Sequence, residues 1–233
     1  MTDFRNIYQH HAQAYHRMIA VEDVDHNLLP AIEQIAPLKG KRVLDLGTGT
    51  GRLPLLYHDQ AAQVTGLDLH LAMLREAQVQ RDKINGKWGL VQGDMRSLPF
   101  PTDWYDVVTA GWAIGHFQNW YDTDWQQQVE RVLVEMFRVV KTGGALVIIE
   151  TLTTGSTTPA PPHEGLAKYY NWLEDKWGFT RQEIETGYLF DSVEQAARQT
   201  EFFFGPELAE KIREERWKCL PEWTGVWGRK MAN

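Results

Sequence analysis

Val43-Leu44-Asp45-Leu46-Gly47-Thr48-Gly49-Thr50-Gly51 is the stretch of this 233-residue chain whose reading decides the fold. Its first part, with Arg42, is a short apolar run that ends in a glycine-rich turn, the pattern of a strand buried on both faces. Four further runs of the same kind follow: Gln63–Asp68, Trp88–Gln92, Tyr105–Ala110 and Ala145–Glu150. Before the last of these, Val129, Val132, Leu133, Met136, Val139 and Val140 recur every three or four residues, which predicts an amphipathic helix. Lys141-Thr142-Gly143-Gly144 is its expected C-terminal cap and turn. Strands separated by helices require crossover connections, and hence a parallel sheet with helices on both faces.

Outward from this core the pattern changes. The first forty residues read as helical, with stops expected at Pro30 and at Pro37-Leu38-Lys39-Gly40. After Glu150, the stretch Thr153–His163 holds one glycine and three prolines, which predicts a loop. A helix is expected over Gly165–Trp177, a strand near Ile184–Phe190, two more helices, and a last aromatic strand near Trp223–Trp227. The expected organisation is one domain over 1–233: a helical cap (1–39), a ligand-binding core (40–150), a lid (151–180) and a C-terminal completion of the sheet (181–233).

Composition removes several classes of function. The net charge of −7 argues against binding that depends on neutralising many phosphates, so no nucleic-acid partner is expected. A single cysteine, Cys219, excludes an intramolecular disulfide and a cysteine-rich zinc site, and the histidines form no H-x-x-x-H pair; no metal is expected. The start MTDFRNIYQHH lacks a basic-then-apolar leader, and no run approaches the ~18 apolar residues of a membrane span. The expected location is the cytoplasm. Ten tryptophans, eight tyrosines and nine phenylalanines are many for this length; part fills the core, and the rest is a candidate lining for an apolar ligand.

Glycines after a strand let backbone amides approach a ligand and accept positive φ. The dinucleotide fingerprint is G-x-G-x-x-G. Here the spacing is G-x-G-x-G followed by Arg52, one residue short. Asp45, just before the turn, faces an anion poorly and suits a cation. Asp68 ends the next strand, where a carboxylate can accept from a ribose diol, and Gly93-Asp94-Met95 ends the third. A helix-cap role is the alternative at both aspartates. Together these strand ends outline one crevice at the carboxyl edge of the sheet.

With these residues in place, the chain resembles the class I S-adenosylmethionine-dependent methyltransferases. Val43–Gly51 is similar to their first motif, Gly66-Leu67-Asp68 to the second and Gly93–Phe100 to the third. Tyr105-Asp106-Val107-Val108 with Gly111–His116 is similar to the fourth, and Lys141–Gly144 to the turn before the fifth strand. The resemblance covers roughly residues 40 to 150 and lies closest to the small-molecule branch that includes quinone and sterol enzymes. It implies an α/β, Rossmann-like three-layer sandwich whose seven-stranded sheet is mostly parallel with an antiparallel last strand. It also implies S-adenosylmethionine as cofactor: Gly47, Thr48, Gly49 and Gly51 at the methionine moiety, Asp68 at the ribose, and Asp94 with Met95 at the adenine. Ala110 and Gly111 are then expected beneath the sulfonium, with Asp45, Leu69, Met73 and Tyr15 also against the cofactor. His70 departs from the family, which usually carries a small hydroxyl residue there as helix cap.

His116 is the candidate base for an acceptor that must lose a proton, with a helix-start histidine as the plainer reading. Tyr8 and Tyr15, seven apart, are expected on one face over the cofactor. Trp112, Tyr169, Tyr170 and Trp172 either line an acceptor pocket with Tyr8 or form lid core. Two other functions compete with methyl transfer to a small molecule: a catalytically silent cofactor-binding partner subunit, and a nicotinamide-dependent oxidoreductase. The sequence carries no reading of oligomeric state.

Overall fold

The computed structural model describes residues 3–121 and 123–232; Met1 and Thr2, the start of the segment read for a leader, lie outside them. Helices α1 (Phe4–His10), α2 (Ala12–Ile19) and α3 (Leu28–Ile35) lead into β1 (Arg42–Leu46). There follow α4 (Arg52–Tyr57), β2 (Gln63–Asp68), α5 (Leu71–Lys83), β3 (Gly89–Gln92), β4 (Tyr105–Gly111), α6 (His116–Trp120), α7 (Trp125–Val139) and β5 (Val140–Thr154). Beyond them come α8 (Glu164–Asp175), β6 (Thr180–Glu185), β7 (Tyr188–Leu189), α9 (Val193–Phe204), α10 (Pro206–Glu214), β8 (Cys219–Leu220) and β9 (Glu222–Lys230).

Seven strands form one sheet in the order β3-β2-β1-β4-β5-β9-β6, and β7 pairs with β8 in a separate ribbon. The first five strands are mutually parallel, while β9 runs antiparallel between β5 and β6. The expected seven-stranded, mostly parallel sheet with an antiparallel last strand is therefore present. The antiparallel entry of β9 also has a consequence for the site. It sets Thr224 opposite Thr151 and Trp223 opposite Thr153, so the beginning of β9 reaches the edge where the parallel strands end.

Alternation along the central strands divides the core between the two faces. Leu44, Leu46, Val108, Leu146 and Ile148 pack with α7 and α8, while Val43, Val107, Val147 and Ile149 pack with α3 and α4. Four consecutive residues of β5, Leu146–Ile149, have no exposed surface, as a strand covered on both sides requires.

Four local expectations are corrected. Pro30 does not stop a helix; it lies in the first turn of α3, where the missing N–H is not needed for the helical ladder. Lys141–Gly144 is not a free turn, because β5 already begins at Val140 and the register against β4 slips between Val140 and Ala145. β5 runs on to Thr154, extended by its pairing with β9, so the loop starts later than composition indicates. The stretch Ile184–Phe190 is split between β6 and β7.

The lid reading of 151–180 changes more. Tyr169, Tyr170 and Leu173 on α8 are fully buried against Trp125 and Trp227, within the main core cluster. α8 is a layer of the sandwich. Within this segment Thr151, Thr153 and Thr154 at the end of β5, Pro162 and His163 in the loop, and Leu166 and Tyr170 of α8 border a cavity.

Candidate active site

The turn after β1 is shaped by two glycines in left-handed conformation, Gly47 at φ +64° and Gly49 at φ +54°. A Cβ on Gly47 would come within 2.5 Å of the Ala113 Cβ, so the turn can pass under the β4–α6 loop only without a side chain. The Thr48 amide donates to the Leu67 carbonyl at 3.0 Å, which pins the turn to β2. At the end of β2, Asp68 Oδ2 accepts from the Gly49 amide at 2.8 Å. Its Oδ1 accepts from the His70 amide, also at 2.8 Å. Asp68 thus ties two strand ends together and also serves the first amide before α5, whose N-cap His70 makes no side-chain cap. Burial pushes its pKa up.

These groups surround a cavity of about 290 Å³. Of the residues expected at a cofactor, Asp45, Gly47, Thr48, Gly49, Asp68, Leu69, Met73, Asp94, Met95, Gly111 and Tyr15 line it. Two do not. Ala110 is buried in the core on the α7 side of the sheet. Gly51, at φ +88°, is the N-cap of α4 and packs towards Ala77 and Trp88, so its conformation serves the helix start.

The carboxylates differ in environment. Asp45 is buried and accepts from Thr109 Oγ1 at 2.7 Å, and burial lifts its pKa to about 7. Asp94 is half-exposed and engaged by the Arg96 guanidinium on both oxygens, which holds its pKa below the usual range. Arg96 is fixed in turn by Gln128 at 2.7 Å. This ion pair is not legible from strand-end spacing.

Tyr8 and His116 meet across 108 residues of sequence, Tyr8 Oη lying 2.7 Å from His116 Nε2. His116 stacks on Trp120 in the half-buried cavity wall, and desolvation there pulls its pKa down to about 4. A histidine so depressed stays neutral at physiological pH but is a weak proton acceptor there. Its place is a wall of the cavity, at the first residue of α6.

Trp112 also lines the cavity, with its backbone in the left-handed region at φ +50° and its amide held by the Ile149 carbonyl at 2.7 Å. Its ring covers the Arg52 guanidinium at 3.6 Å, and Arg52 is paired with Glu22 at 2.7 Å. Tyr8, Tyr15, Arg52, Trp112 and His116 belong at the same time to a second cavity of about 760 Å³, formed with α2, the end of β5, α8 and α9. Tyr170 borders this second cavity, and its hydroxyl donates to the Thr151 carbonyl at 2.6 Å. Tyr169 and Trp172 border neither; Tyr169 is core, and Trp172 packs half-buried against Trp125 and Trp177.

Sequence reasoning missed Glu150 and Glu22, both on the wall of the second cavity. Glu150 was legible in principle, as an acid closing an apolar strand on the ligand edge. Glu22 carries no such signal. Among the described residues no group of three or more His, Cys, Asp or Glu side chains could hold a metal ion, and no helix is long and apolar enough to cross a membrane.

Comparison with known proteins shows what the chain is similar to. Residues 44–148 match the model described as a methyltransferase domain. The demethylmenaquinone methyltransferase of Porphyromonas gingivalis is 34% identical over 125 residues, covering 52% of this chain and 47% of the relative. The malonyl-[acyl-carrier protein] O-methyltransferase of Legionella pneumophila is 34% identical over 144 residues, covering 59% and 45%. The chain spans about half the length of these curated relatives. A Haemonchus contortus phosphoethanolamine N-methyltransferase in complex with S-adenosyl-L-methionine shares the fold at a TM-score of 0.61 and 17% identity, over 100% of this chain and 61% of that one. Over residues 44–148 the chain is therefore similar to a methyltransferase domain, and it shares its fold with solved methyltransferases.

Proposed function

We propose that the protein binds S-adenosylmethionine in the smaller cavity and transfers its methyl group to a small-molecule acceptor held in the larger one. The observation that carries this reading is the Gly47–Gly49 turn joined to the Asp68 carboxylate on one cavity wall. The cradle at Gly47 has no room for a Cβ, and Asp68 keeps lone pairs for a diol after accepting two amides. Met73 and Met95 offer apolar walls beside Asp94, and Asp45 offers negative charge to a cation. When bound, the cofactor supplies an electrophilic methyl on a sulfonium, and the acceptor supplies the electron pair. The protein's part is to align the two and to exclude water, which the shared wall of Tyr8, Tyr15, Trp112 and His116 is placed to do. With its pKa near 4, His116 acts here as packing and as a hydrogen-bond partner of Tyr8.

The relatives named above act on different acceptors, so the family does not choose one. The net charge of −7 supports a small-molecule acceptor over nucleic acid, and we read the site of action as the cytoplasm. Calorimetry with S-adenosylhomocysteine and with NAD tests the proposal. Binding of the first and none of the second is expected; the reverse would return the chain to the nicotinamide alternative. Turnover against an acceptor panel separates an enzyme from a silent binding subunit.

A further inference from the structure

The larger cavity is mostly apolar, with Met18, Leu166, Phe203 and Leu208 among its walls, yet it carries buried acid without matching base. Glu150 is 5% exposed, and its Oε1 accepts from the Gly115 amide at 2.7 Å. Its Oε2 fills the space where a Cβ on residue 115 would stand, 2.9 Å away. Glu22 faces the same cavity with its side chain 1% exposed; its Oε2 has no hydrogen-bond partner, and its Oε1 pairs with Arg52. Behind them Glu222, brought to this edge by antiparallel β9, has a buried Oε2 that is also unpartnered.

The positive side is already committed. Among the described residues lining this cavity Arg52 is the one Lys or Arg, and it is spent on Glu22 and stacked on Trp112. His116 is hydrogen-bonded to Tyr8, and His163 Nδ1 caps α8 by accepting from the Leu166 amide. A buried carboxylate without a counter-charge is costly, and a ligand cation would relieve that cost. An anionic acceptor would find no free Lys or Arg among the described lining residues to pair with.

We infer that the larger cavity recognises an acceptor bearing a protonatable amine, with the Glu150 carboxylate as the group that pairs with its nitrogen. This rests on the methyltransferase reading and adds to it the chemical class of the acceptor. The groups facing Glu150 are Tyr8, Tyr169, Tyr170, His116 and His163, with Glu222 beyond. Apart from Arg52, which is paired with Glu22, no Lys or Arg among the described lining residues stands there to compete with the amine. Burial holds Glu150 protonated with a pKa of about 8, so pairing with an ammonium at pH 7 must expel a proton to solvent.

The test uses the full chain saturated with S-adenosylhomocysteine, titrated calorimetrically with phenethylamine and tryptamine, with the matching alcohols 2-phenylethanol and tryptophol, and with menadiol. Each titration is run in two buffers of different ionisation enthalpy. The expected result is at least about tenfold tighter binding of an amine than of its alcohol, with roughly one proton released per amine bound. Glu150→Gln keeps an oxygen for the Gly115 amide but not the charge. It should abolish the preference and the proton release while leaving the melting temperature and S-adenosylhomocysteine affinity in place. A merely structural Glu150 would not move the proton count. Equal binding of amine and alcohol, tighter binding of menadiol, saturable binding of neither amine, or a preference that survives Glu150→Gln would each overturn the inference. Failure of S-adenosylhomocysteine itself to bind would instead overturn the reading beneath it.

Discussion

The two cavities share a wall but are built in opposite ways. The smaller is built around the loops that follow β1, β2, β3 and β4 directly, whose backbone amides and strand-end carboxylates face it, with side chains of α1, α2 and α4 completing its wall. The larger draws on α2, β5, α8 and α9, and its pairs join residues far apart in sequence, Arg52 with Glu22 and Tyr8 with His116. The first is set by backbone geometry and tolerates little change. The second is a side-chain environment, and its character is set by which charges lack a partner.

Substitutions and titrations can break or sharpen this contrast. The largest effect is expected at Gly47, where alanine meets both the Ala113 Cβ and a left-handed φ. Overpacking costs about 1–3 kcal/mol and the backbone about 1–2 kcal/mol more. Gly47→Ala should weaken S-adenosylhomocysteine binding by well over tenfold; near-normal affinity by calorimetry would mean that backbone shape does not define the smaller cavity. Asp68→Ala comes next. Losing a charged acceptor should cost about 1.5–3 kcal/mol of affinity, roughly 10- to 150-fold. An unchanged dissociation constant would remove Asp68 from ligand contact.

The third prediction concerns pH. Asp45 and Glu150 have folded-state pKa values of about 7 and about 8, above their ordinary carboxylate values. Their contribution to stability is therefore full below the unfolded values and is lost as pH rises through 7 and 8. His116, near 4 when folded, acts the other way: its contribution is lost as pH falls from about 6.5 towards 4. Above pH 6.5 the acids act without that opposition. Denaturant titrations should show stability of the ligand-free protein declining by about 2–3 kcal/mol between pH 6.5 and 8. Glu150→Gln should reduce the slope in that window. Stability that rises across it would show both carboxylates already ionised.

The smallest effect is expected at Tyr169, whose buried hydroxyl makes no hydrogen bond. Tyr169→Phe should be neutral, or stabilising by up to about 1 kcal/mol, with methyl transfer intact. A large loss of turnover at unchanged stability would return α8 to the role of a lid.

The sheet and the edge that carries the smaller cavity were legible in the sequence for the same reason. A parallel strand buried on both faces must be an apolar run, and the glycines and acids that end it are local in sequence. Val43–Gly51, Gly66–Asp68 and Gly93–Met95 needed no partner to be read. Two errors within this region follow from the same locality. Gly51 is in the glycine motif yet serves α4, and Ala110 is at a strand end yet faces the core, because strand alternation decides the face. In the second half the aromatic residues of α8 look alike as pocket or as core, since both environments select large apolar rings. Tertiary structure alone decided it, by inserting β9 between β5 and β6 and placing Trp227 against Tyr170. The sequence by itself thus determined the strand ends and glycine turn that build the smaller cavity. Only the tertiary structure decided which charges are buried without a partner, because burial and pairing depend on residues brought together from separate elements, such as Glu22 with Arg52 and Glu150 with the Gly115 amide.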